Sequence, residues 1–167
     1  MKNAIQYDVG IVGTGPAGLA AALILTRLGL RTAIIGPSAK RPDNRTAALF
    51  TGSIQLLTNL GAWEACRSAA EPLKAIRIID DTGGLLRAPE VVFTAAEVGL
   101  ETFGYNVPNA TLTRALHETA TSQDDALTVV ETAGVEDLEI EAEQVRLHLA
   151  GGGTICVRLV IGADGRN

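Results

Sequence analysis

The stretch Tyr7 to Ile35, YDVGIVGTGPAGLAAALILTRLGLRTAII, leaves a chain few folds to choose from. Val9, Ile11 and Val12 form a short apolar strand, and Gly13-Thr14-Gly15-Pro16-Ala17-Gly18 follows it at once. Ala20 to Leu28 is a run of good helix formers, Gly29 ends it, and Thr32 to Ile35 is a second apolar strand. A strand that turns through G-x-G-x-x-G into a helix and returns as a strand is the pattern of a dinucleotide-binding unit. Each glycine has its reason. Gly13 permits the tight turn out of the strand, Gly15 lets the backbone approach a pyrophosphate, and Gly18 lets the helix pack closely. Pro16 suits the first helical turn, where its missing N–H costs nothing. The helix start, with Ala17 in its first turn, offers unpaired N–H groups and a positive dipole end to phosphates.

With 167 residues, of which 47% are hydrophobic and 20% charged, the chain is long enough for one domain with a sizeable core. Its net charge of −5 argues against a nucleic-acid binder as a whole, since that needs a basic face. The charge is uneven: residues 1–72 carry seven Lys/Arg against four Asp/Glu, and residues 73–167 carry seven against fifteen. A mildly basic first part suits an anionic cofactor. Cys66 and Cys156 are the only cysteines, with no CxxC pair and no histidine cluster, which points to reduced packing thiols rather than a disulfide or metal site. Val9 to Leu25 is apolar enough to suggest a signal or membrane segment, but Asp8 before it and the glycine-proline turn within it point to a buried strand and helix. The expected location is therefore the cytoplasm.

Beyond the second strand, Gly36 to Arg45 is a polar loop rich in turn residues. Gly36 stands where a dinucleotide fold places the acid for the adenosine ribose, so either backbone groups and Ser38 hold the ribose or the pattern is only partly functional. Thr46 to Leu60 reads as a helix with Leu49, Ile54, Leu57 and Leu60 on one face, and Ala62 to Ala70 as a shorter one. Arg45, just before, is either a solvated loop arginine or a guanidinium for the pyrophosphate. Ala75 to Asp80 and Leu85 to Phe93 read as two strands around a turn at Asp81 to Gly84, with Pro89 weakening the second. They break the βα alternation and look like an antiparallel insertion. Ala110 to Thr121 is the next helix, carrying Arg114 and His117 three apart, and Asn109 before it either caps the helix or offers its amide to a ligand. His117 reads as a surface residue. Leu127 to Val130 is a strand, and residues 136–149 form a hairpin with one apolar and one charged face, which makes the acidic run Glu136 to Glu143 a solvated strand face rather than a metal site. Thr154 to Val157 and Leu159 to Ile161 follow as two strands before Gly162-Ala163-Asp164-Gly165-Arg166-Asn167.

Three separated signals coincide here: GTGPAG after the first strand, Arg45 leading a helix, and VIGADGRN after the last strand. Together they resemble the single-component flavin-dependent aromatic hydroxylases, the family of para-hydroxybenzoate hydroxylase. DNRTAAL, LTNLGAW, GYNVPNATLTRAL and VIGADGRN look most like the branch acting on ubiquinone precursors, the UbiH/UbiF type. The resemblance implies an α/β, Rossmann-like FAD-binding fold in three layers. Residues 1–72 and 106–167 would form that domain and 73–105 the start of a substrate-domain sheet, with the hairpin at 136–149 outside the parallel sheet in a β-meander. It implies cofactor-binding roles for Gly13, Gly15, Pro16, Ala17, Gly18, Arg45, Asn109, Arg114, Gly162, Asp164 and Gly165. It also implies NAD(P)H as reductant, dioxygen as co-substrate and a phenolic, polyprenylated quinone precursor as substrate. A place at the membrane periphery or in a biosynthetic complex belongs to the same expectation. The flavin carries the hard chemistry in such enzymes, so no catalytic residue is assigned and no triad is required.

Two departures qualify the resemblance. Gly36 replaces the ribose acid, and family members continue well beyond residue 167, so the chain reads as the N-terminal part of such an enzyme, inactive alone. The alternatives are a non-catalytic nucleotide-binding module and another flavin oxidoreductase, a reductase or halogenase, on the same fold.

Overall fold

The computed structural model describes residues 7–37, 44–84, 87–122 and 126–165. Its centre is the predicted βαβ unit: β1 (Tyr7–Val12), α1 (Pro16–Arg27) and β2 (Thr32–Gly36). β1 and β2 pair in parallel, and β8 (Leu127–Glu131) extends the sheet beside β2, again in parallel. On the other side of β1 lies β11 (Thr154–Gly162), parallel to it from Val157 to Gly162. The first half of β11 pairs antiparallel with β10 (Val145–Leu149), which pairs with β9 (Val135–Ile140). The six strands thus run β8-β2-β1-β11-β10-β9.

Two cores make this a three-layer domain. On one face, Val9, Ile11 and Ile34 pack under α1 and α4 (Asn109–Thr121) through Leu19, Leu23, Leu112 and Leu116. On the other, Ala33 and Ile35 are covered by Leu147, Ile155 and Val157 of the meander. The central strands are buried on both faces, as β2 shows with five buried residues in a row, of which only Thr32 is polar. Charged partners line the meander's outer face, where Arg146 bridges Glu139 at 3.1 Å and reaches Glu141 as well. The hairpin's apolar side is only half used: Leu147 is buried, but Leu138 and Ile140 on the edge strand β9 are exposed.

Four expectations change. The helix expected over Thr46 to Leu60 is a strand, β3 (Thr46–Phe50), followed by α2 (Thr51–Leu60). β3 pairs antiparallel with β7 (Gly104–Pro108), turning Ala47 and Leu49 toward the helix-side core while Thr46, Ala48 and Phe50 stay exposed. That partner is some 58 residues away in sequence, so local helix propensity could not report it. A short strand β4 (Glu71–Pro72) completes this sheet, and α3 (Trp63–Arg67) is shorter than expected. The insertion is antiparallel, β5 (Ala75–Ile78) against β6 (Val91–Thr94), but β6 starts after Pro89 instead of running from Leu85; Leu85 and Leu86 lie outside the described residues. The last two expected strands are one, because Arg158 sits exposed within a continuous β11 whose two ends have different neighbours.

Candidate functional site

The carboxyl ends of β1, β2 and β11 meet at the glycine turn, the crevice where open α/β sheets place their ligands. Gly13 N–H donates to Ile35 O at 2.8 Å, and Ala163 N–H donates to Val12 O at 2.7 Å, so the turn is pinned from both sides. The two glycine motifs are in direct contact. A Cβ added at Gly13 would lie 2.2 Å from Ala163 O and 2.6 Å from Asp164 N, and Gly13 holds φ +122°, a conformation open to glycine. At Gly18 a Cβ would lie 2.1 Å from Gly13 O. Gly13 and Gly18 are therefore filled by the protein's own backbone.

Gly15 differs from both. A Cβ there would meet nothing within 4 Å, and its extended φ of −75° would suit any residue. It is the N-cap of α1, with no side-chain cap and no acid in the first turn, and Pro16 occupies the first helical position beneath it. The first-turn N–H groups and the helix dipole thus open onto free space at the one glycine of the turn that does not need to be glycine for packing. This is a cradle for an anionic group, and the pyrophosphate of a dinucleotide fits it.

The structure brings some of the other candidates together. Asn109 N–H donates to Arg45 O at 2.9 Å, one step past the Thr46–Pro108 end of the β3–β7 ladder, so these two residues sit side by side. Asn109 is the first residue of α4 rather than its cap, which falls on Pro108. Arg45 precedes a strand, not a helix. Arg114 lies exposed one turn further along α4, close enough to Cys66 for its charge to act on the thiol. Burial pushes the Cys66 pKa up, and Arg114 pulls against that rise. Gly162, Asp164 and Gly165 are exposed on the far side of the turn, with Gly165 at φ +92°. Ser38 lies outside the described residues.

Two participants escaped sequence reasoning although both lie inside the motifs. Thr14 Oγ1 donates to Pro37 O at 2.7 Å, tying the turn to the chain leaving β2. Ala163 supplies the backbone that Gly13 packs against. An open hollow lined by Asp8, Arg31, Glu143 and Arg158 lies at the opposite end of β1, where the Asp8–Arg31 pair at 3.3 Å satisfies its own charges. Among the described residues no cluster of His, Cys, Asp or Glu could hold a metal, and no helix is long and apolar enough to cross a membrane.

Comparison with known proteins adds a family. The model of a family described as an FAD binding domain matches residues 6–167. The 3-demethoxyubiquinol 3-hydroxylase of Escherichia coli is 32% identical over 96% of this chain and 41% of its own length. Ubiquinone hydroxylase UbiL of Rhodospirillum rubrum is 30% identical over 95% of this chain and 37% of its own. The chain thus spans about two fifths of these relatives. Among solved structures, AlpK superposes with a TM-score of 0.76 at 19% identity, covering 98% of this chain and 32% of its own. The p-nitrophenol 4-monooxygenase PnpA of Pseudomonas putida gives a TM-score of 0.74 at 19% identity over 96% of this chain and 41% of its own, a likeness of fold.

Proposed function

The chain belongs to the FAD binding domain family, and from that premise we propose that it is the cofactor-holding part of a flavin monooxygenase that hydroxylates a phenolic quinone precursor. The reading rests on one observation above all: the glycine turn is locked against the second motif at Ala163–Asp164 while Gly15 alone faces open space at the start of α1. In this reading FAD, once bound, supplies the redox chemistry, drawing on NAD(P)H and dioxygen. The protein's part is to bind and orient. N–H groups at Gly15 and Ala17 take the pyrophosphate together with the α1 dipole, and Arg45 neutralises its charge. Asn109, held against Arg45 by its backbone, offers an amide beside it, and Arg114 adds positive charge along α4. Gly162, Asp164 and Gly165 fix the loop on the far side.

Two further features support the substrate side. The names of the relatives in Escherichia coli and Rhodospirillum rubrum point to ubiquinol-type substrates. β5 and β6 present Ile78, Val91 and Phe93 on an exposed face that two strands alone cannot cover, as the first strands of a substrate-facing sheet would. A polyprenyl tail on the substrate would bring a cytoplasmic enzyme to the membrane surface. Titration of FAD with the chain, followed by flavin fluorescence, tests the cofactor site: saturable quenching is expected, and a folded chain that gives none refutes it. The activity is tested on the full-length protein, where a phenolic substrate should stimulate NAD(P)H oxidation; a flavin-loaded protein that shows no stimulation rules out the hydroxylase.

A further inference from the structure

A dinucleotide fold usually places a carboxylate for the adenosine ribose at the end of its second strand, about 20 residues past the glycine turn. That position is Gly36 here, and it has no side chain to offer. A Cβ at Gly36 would lie 3.2 Å from Thr14 Cγ2, so the position faces the glycine turn and Thr14 already fills the space in front of it. One strand further out, β8 ends on Glu131, the register partner of Gly36. Register partners on neighbouring strands project to the same face of a sheet. The burial along both strands agrees. Ile34 and its partner Val129 belong to the helix-side core, whereas Ile35 and its partner Val130 face the meander. Glu131, two residues beyond Val129, therefore emerges on the side of α1 and the glycine turn.

The end of β8 is held in place there. Thr132 N–H donates to Gly36 O at 3.1 Å, carrying the pairing one residue past the ladder. Glu131 is exposed, and its carboxylate enters no hydrogen bond or ion pair among the described residues. Neighbouring strands lie about 4.8 Å apart, and with no side chain at position 36 the next group inward from Glu131 on this face is Thr14 of the glycine turn. The other described acids near this sheet are placed elsewhere. Asp8 is held by Arg31 at the opposite end of β1, Glu139 and Glu141 are paired with Arg146, and Asp164 adjoins β11 on the other side of the turn.

We propose that Glu131 supplies, from the neighbouring strand, the carboxylate that β2 lacks, and accepts hydrogen bonds from the ribose hydroxyls at the adenosine end of the cofactor. The proposal rests on the FAD-site reading above and assigns the part of that site which the glycine motif leaves open. Glu131 determines specificity for a ribose over a deoxyribose and takes no part in the redox chemistry.

The test compares ADP with 2′-deoxy-ADP, each displacing FAD from the chain under fluorescence. A hydrogen bond to a charged carboxylate corresponds to about tenfold or more in affinity, so the wild type should prefer ADP by on the order of tenfold. Glu131→Ala should reduce that preference to less than about twofold, while Glu136→Ala, an exposed acid on β9, should leave it intact. The ratio is the readout because removing a negative charge near a diphosphate raises the affinity of both nucleotides together. A wild type that ignores the 2′-hydroxyl, or a Glu131→Ala variant that keeps the full preference, overturns the proposal while ADP binding itself upholds the FAD site. If FAD binds but ADP does not displace it, this proposal is overturned alone; if FAD itself does not bind, the FAD-site reading falls and takes this one with it.

Discussion

Substituting the glycines one at a time separates packing from binding. In Gly13→Ala the new methyl meets Ala163 O at 2.2 Å, well inside the 3.0 Å that Cβ atoms respect, and the residue must hold φ +122°. The backbone conformation costs about 1–2 kcal/mol for a residue with a side chain, and forcing a methyl against fixed backbone about 1–3 kcal/mol more. A loss near 3 kcal/mol is a large share of the roughly 5–15 kcal/mol that holds a domain together, and lowers the melting temperature of a chain this size by roughly 6–12 °C. Gly15→Ala is the contrasting case. Its methyl enters open space at φ −75°, and the poorer N-cap is offset by a less flexible unfolded chain, so stability should change by less than about 1 kcal/mol. The same methyl stands where the pyrophosphate must approach, so FAD affinity should fall by about tenfold or more. Circular-dichroism melts and flavin quenching on both variants decide the matter. If Gly15→Ala melts as low as Gly13→Ala, or Gly13→Ala melts within about 2 °C of wild type, the division of labour among the glycines is wrong.

Arg27, in the last turn of α1, donates to Asn59 O and, at 2.8 Å, to Leu60 O, satisfying carbonyls at the end of α2. Arg27→Ala should cost about 1–2 kcal/mol, read as a lower urea midpoint at unchanged slope; an unaltered midpoint would show that water replaces the arginine without loss. Asp8 is held below the usual carboxylate range chiefly by the Arg31 guanidinium, with the Arg31 N–H adding to it. A lowered pKa in the fold means stability that is present above the ordinary carboxylate value and lost as pH falls through the folded one. Asp8→Asn should therefore flatten the acid limb of stability against pH, and a variant whose acid limb matches wild type would count against the pair.

How far the sequence reached depended on the distance between partners. The βαβ unit was legible because its signals are local: alternating strand and helix propensity punctuated by glycines whose spacing has one geometric meaning. The meander was legible too, since Leu138, Ile140, Val145 and Leu147 alternate with charges that pair across strands. What stayed hidden were pairings set by residues far away. Thr46 to Phe50 contains AAL, a good helix segment, and only β7 makes it a strand. Leu138 and Ile140 obey the amphipathic pattern yet stay exposed, because the sheet beneath them ends before β9. The direct contact between the glycine motifs was beyond any reading of their spacing, since some 150 residues separate Gly13 from Ala163.

That contact gives β11 a role that neither motif has alone. Its first half is held by β10 and its second by β1, with Val157 pairing to both neighbours at the crossover. The strand can carry Ala163 to the glycine turn only when the meander and the parallel sheet are both in place. The β1–β11 pairing spans nearly the whole chain and bears the largest loop-closure cost, so closure of the sheet and completion of the turn are expected together and late in folding; φ-values near one for β11 variants would refute this. A dinucleotide resting on the turn that β11 completes would stabilise the closed sheet by RT ln(1 + c/Kd), an amount that rises with its free concentration c.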